Sequence, residues 1–173
     1  MFVQCLFCAL LGAFVIYAFD LHIFRRQEAY RSMTIKELYI GSEKGRPPLR
    51  VSSMELIKGV GPKGEAHGKH QAGLWSAEDR ARLEPIKEQA LCARRFFANI
   101  IIDSFDIPLN AGDTLHAGSA VMQVSNQGKR CFGEECELFC SGTPCPLHSC
   151  RYLTIQTDGV IAENDQITKE DRL

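Results

Sequence analysis

The sequence predicts a mainly β fold of the α+β kind, with short strands closing into a small barrel-like domain that carries one or two helices. Two observations lead there. Apolar and β-branched runs of four to eight residues recur from Thr34 to the C-terminus, and Gly, Pro, Asn and Asp separate them. Apart from an N-terminal hydrophobic helix that precedes the domain, helix-forming sequence is confined to one stretch between Ser76 and Phe97, too little for a helical core.

Taken in order, Thr34–Ile40 and Val51–Lys58 read as strands joined by the turn-forming GSEKGRPP. GVGPKGEAHGKHQAG, from Gly59 to Gly73, is a glycine- and histidine-bearing loop. Ser76 opens S-A-E-D, which resembles a capping box and starts a helix. Pro85 interrupts that helix, and IKEQALCARRF is expected to resume it. FANIII, DTLHAG and SAVMQVS then return to strand patterning, with PLNAGD and AGS as turns. RYLTIQ and GVIAEND supply two further strands.

Ahead of this domain, Phe2 to Phe19 is an apolar run broken only by Gln4. As a helix it spans about 27 Å, just short of a hydrocarbon core of about 30 Å. No Lys or Arg precedes it, which disfavours a secretory signal, whereas Arg25 and Arg26 follow it. Residues 1–32 therefore read either as a membrane anchor through residues 2–19 or as sequence upstream of a start at Met33. Both readings place residues 33–173 in the cytoplasm or on the cytoplasmic face of the inner membrane. The net charge of −1, with scattered basic residues, gives no nucleic-acid footprint.

Five of the eight cysteines fall between Cys131 and Cys150, in CFGEECELFCSGTPCPLHSC. Reducing surroundings disfavour a disulfide framework and leave metal or sulfur chemistry. The close C-x2-C pairs of most zinc sites are missing, since the spacings run five, four, five and five. Cys131 follows Lys129 and Arg130, whose charge favours a nearby thiolate and can meet a phosphate. Cys145 lies between Pro144 and Pro146, which stiffen its backbone. His67 and His70 are loop groups able to serve as ligands or as acid–base groups, and Asn99 either binds a ligand or closes a turn. Trp75, Phe96 and Phe97 read as core, and Cys5, Cys8 and Cys92 as apolar packing.

An ordered series of motifs resembles the MOSC domain, the C-terminal domain of molybdenum cofactor sulfurase, in its short stand-alone bacterial form. Phe97, Asn99–Ile100, Gly112–Asp113, Leu115, Gly118, Val121–Val124 and Cys131 behind Lys129–Arg130 follow that family's order. Glu65 and His67 match its glycine-acid-x-His loop, with Glu where Asp is usual, and Asn164–Asp165 match its closing turn. The resemblance covers about Met33 to Ile167, and Cys131, Cys136 and Cys145 stand at positions where the subgroup carries cysteines. Departures are Ala98 in place of an acid, HQAGLWS after the histidine loop, and Cys150 where Gly is expected.

The resemblance implies a molybdopterin-type molybdenum cofactor or sulfur carried on a cysteine, hence sulfurtransferase or molybdenum-dependent oxidoreductase chemistry. It makes Cys131 and Cys145 the candidate catalytic thiols. Lys129, Arg130, Asn99 and His67 become candidate cofactor contacts, and Cys131, Cys136 and Cys145 candidate metal ligands. Because the chain lacks a pyridoxal-phosphate module, a separate cysteine desulfurase or a molybdoenzyme is the expected partner. The competing reading is a cysteine-rich Zn or Fe–S module in a structural or redox role.

Overall fold

The computed structural model of the protein describes residues 32–66, 71–127, 129, 131 and 133–170. The apolar run at 2–19, His67, His70 and Arg130 lie outside the described residues. Among the described residues, no helix is long and apolar enough to cross a membrane.

The first strand shows how the chain becomes a barrel. In β1 (Ser32–Ile40), Met33 and Ile35 point into the core, and strict alternation would send Glu37 after them. A register shift against β6 (Ile100–Ile102) falls between Ile35 and Glu37. This bulge turns Leu38 inward and Glu37 outward. Leu38 pairs β1 with β2 (Leu49–Val51), after which the chain changes sheets at Ser52. β3 (Ser53–Ile57) pairs instead with β4 (Gly61–Pro62) and β10 (Gly159–Ala162) in a separate three-stranded sheet. The strand expected over Val51–Lys58 forms as β3, while Val51 belongs to β2, which has a different partner.

β5 (Ala72–Ser76) and β6 form a parallel pair, with Trp75 opposite Ile101. Both are buried along their whole length because both faces are covered. Leu74, Ile100 and Ile102 fill the barrel, whereas Trp75 and Ile101 face a second, outer core. β7 (Thr114–Ala117), β8 (Ala120–Gln127) and β9 (Arg151–Thr157) continue the wall, and β11 (Gln166–Lys169) closes it by pairing with both β7 and β1. The closed circuit runs β11, β7, β8, β9, β5, β6, β1 and back to β11.

Helix α1 (Ala77–Leu83) starts as its sequence predicts: the Asp79 N–H donates to Ser76 Oγ at 3.0 Å. The helix expected beyond Pro85 does not form. Its place is taken by two single 3-10 turns, Glu84–Ile86 and Ala93–Arg95, joined by hydrogen-bonded turns. Proline withholds the N–H that a continuing helix needs, and Ile86, Ala90, Cys92 and Ala93 pack individually onto the outer core.

A four-thiol pocket on the outside of the barrel

The cysteine segment leaves the barrel after β8 and returns at β9. It contains a 3-10 turn at Gly133–Glu135, the short helix α2 (Glu137–Cys140), and a second turn at Pro146–Ser149. Leu138, Leu147 and Cys150 are fully buried and press the segment onto Trp75, Leu83 and Ile101. Trp75 pins it: its indole Nε1–H donates to Pro146 O at 3.1 Å and to Ser149 Oγ at 3.0 Å.

Folded this way, the segment sorts its thiols. Cys131, Cys136 and Cys145 line one small cavity together with Lys129, and Cys92 enters from the 84–95 segment opposite. Leu91, Leu147 and His148 complete the wall, and the cavity volume is about 10 Å³. Cys140 and Cys150 stand apart from it. Cys140 is exposed, with its thiol directed at Glu134 O, 3.3 Å away. Cys150 is sealed in the outer core, where burial pushes its thiol up to about 12.

The lining thiols are electrostatically unequal. Burial raises Cys92, opposed by the charge of Lys129, and burial likewise raises Cys145. Cys136 shifts the other way, because the backbone N–H groups of Leu91 and Phe139 donate toward its sulfur. The Gly133 N–H donates to Cys131 Sγ at 3.4 Å. The Lys129 ammonium sits 5.3 Å from the centroid of the Phe96 ring, a cation–π arrangement that holds it beside the thiols.

Phe96, with Tyr39, Trp75, Arg80 and Phe97, borders a separate open cleft of about 220 Å³. Arg80 spans this cleft's rim as a forked ion pair to Glu37, at 2.5 and 2.9 Å, and Tyr39 donates to the same carboxylate. The pair holds Glu37 down to about 2.

Asn99 lies on the barrel wall and not in the thiol pocket. Its Oδ1 accepts from the Gly73 N–H at 2.9 Å, while its Nδ2 donates to Tyr39 O at 3.1 Å and to Glu65 Oε2 at 2.7 Å. Glu65 Oε2 also accepts from the Gly41 N–H at 2.9 Å. The motif pair Glu65 and Asn99 thus cross-links the loop before β5 to β1 and β6. Among the described residues, no three His, Cys, Asp or Glu side chains are grouped so as to hold a metal ion. Cys92 is the pocket residue that sequence reading assigned to packing alone. No spacing marks it, since it lies 39 residues before Cys131 and the turns after Pro85 bring it there.

No family model and no curated protein matches the sequence. Solved structures do share its architecture. The YuaD protein of Bacillus subtilis superimposes with a TM-score of 0.56 at 13% identity, over 82% of this chain and 97% of that one. YiiM of Escherichia coli gives 0.54 at 15% identity, over 82% of this chain and 71% of its own. YiiM of Geobacillus stearothermophilus gives 0.52 at 18%, over 81% and 76%. The chain has the same barrel fold as these YuaD and YiiM proteins.

Proposed function

We propose that the protein is a sulfur carrier of the MOSC type, which holds a sulfane sulfur on Cys131 and passes it toward metal–sulfur cofactor chemistry. The observation that carries this reading is the convergence of Cys92, Cys131, Cys136 and Cys145 with Lys129 on one cavity. The motif series from Phe97 to Cys131 and the shared barrel support the family assignment.

The cavity's size supports the sulfur reading over the cofactor reading. About 10 Å³ is roughly the room needed by one water-sized occupant. An extra sulfur atom on a cysteine fits that space, whereas molybdenum with its pterin does not. The residues present therefore do not fit a molybdenum cofactor within the thiol pocket, and the cofactor is assigned to a partner. A separate cysteine desulfurase supplies the sulfur on this reading, and a molybdoenzyme or its cofactor receives it.

The test is to incubate the full chain with a cysteine desulfurase and L-cysteine, then read intact mass without reductant. One added sulfur is expected on the wild type and none on Cys131→Ser. A wild type that takes up no sulfur would overturn the proposal. So would stoichiometric zinc or iron in the purified protein whose loss unfolds it, which is the behaviour of a structural metal module.

A further inference from the structure

We propose that the open cleft bordered by Phe96 is a second binding site, separate from the thiol pocket, and that it takes a small aromatic carboxylate. This reading does not depend on sulfur chemistry. Tyr39, Trp75, Phe96 and Phe97 line the cleft with ring surface, and Arg80 and Lys87 are its cations. Volume sets the size of the occupant. The cleft holds about 220 Å³. An apolar cavity of roughly 150 Å³ accommodates benzene, and pockets for drug-sized ligands start at about 300 Å³. The cleft therefore fits one ring with a short substituent.

The walls select a flat ring. Phe96 stands edge-on to Trp75, with ring centroids 5.2 Å apart and planes at 90°. The polar ends of the aromatic walls are already engaged. Trp75 Nε1–H donates to Pro146 O and Ser149 Oγ, and the Tyr39 hydroxyl donates to Glu37. What these residues offer a ligand is ring surface, which favours stacked or edge-to-face contact with another ring.

The rim selects the charge. The fork to Glu37 takes one N–H from each Nη of Arg80. A guanidinium carries about five such donors, so others remain for a ligand even with the Tyr39 hydroxyl as a further neighbour. Glu37 fixes the guanidinium in place but does not itself line the cleft. Lys87 is held by Glu84 in a solvent-exposed pair, which is worth little and yields to a better partner. An incoming carboxylate gains charge-assisted hydrogen bonds from both cations.

Trp75 is the chain's one tryptophan, so its emission reports on the cleft directly. Titrating the full chain with benzoate is expected to change that emission saturably, with a matching calorimetric Kd of about 0.1–1 mM for so small a ligand. Cyclohexanecarboxylate lacks the flat ring and benzyl alcohol lacks the charge. Each should bind about fivefold or more weakly than benzoate. Arg80→Lys should weaken benzoate about fivefold and leave benzyl alcohol unchanged, since lysine cannot reproduce the planar fork. No saturable signal up to about 10 mM benzoate would overturn the site. Equal affinity for benzoate and cyclohexanecarboxylate would overturn the ring, and equal affinity for benzoate and benzyl alcohol the carboxylate. A wild-type benzoate affinity in Arg80→Lys would remove Arg80 from the site. If Arg80→Lys does not fold, the three wild-type titrations decide.

Discussion

At the scale of single residues, the same motif can serve the fold and the chemistry in different proportions. Asn99 was legible as a motif position, but its three side-chain hydrogen bonds were not, because their partners lie on β1, β5 and the preceding loop. The residue is 7% exposed, so Asn99→Ala removes all three bonds and strands the buried Gly73 N–H. We expect a loss of about 3 kcal/mol of stability, read from a denaturant midpoint. An unchanged midpoint would show that the amide is not structural. Cys131, Cys136 and Cys145, marked by motif position, line one cavity. Cys92 was not so marked, because nothing local distinguishes a cysteine that packs from one that lines a cavity.

At the scale of elements, local rules held wherever a short segment contains its own partners. The Ser76 cap is an example: donor and acceptor are three residues apart. They failed where partners are distant. Nothing in SMTIKELYI announces a bulge, yet the bulge turns Glu37 outward to meet Arg80 on α1. That ion pair ties the helix to the barrel and gives an acid signature. Glu37 has a folded value of about 2, below the ordinary 4.5, so its stabilisation is fully present above about pH 4.5. It is lost as the pH falls toward 2, since protonation then costs the folded state the pair. Acid unfolding of Glu37→Gln followed by circular dichroism should show a shallower loss of stability across pH 4.5 to 2 than the wild type. Parallel curves would mean that the pair contributes nothing.

At the scale of the whole molecule, closure depends on contacts between segments far apart in sequence. The turn joining β7 to β8 contains Gly118 at φ +52°, where a side chain is strained. A Cβ there would also run into the carbonyl of Val160 on β10, so the glycine lets the barrel and the small sheet meet. Gly118→Ala is expected to cost about 2–3 kcal/mol in a thermal or chemical melt. A wild-type melt would refute the close approach. β11 makes the closure itself. Its Lys169 pairs with the buried Asp113 carboxylate at 2.8 Å, and Ile167 lies opposite Met33. Its sequence, QITK, is too short and too polar to read as a strand by itself.

The sequence alone determined the strand-rich class and the site of the capped helix α1, because alternation and capping are local in the chain. Only the tertiary structure decided the rest. It closed the barrel through β11, converted the segment after Pro85 into turns that deliver Cys92, and separated Cys140 and Cys150 from the pocket. It also shifts Cys136 in the opposite direction from Cys92 and Cys145, since burial and the direction of a neighbour's N–H depend on which segments meet.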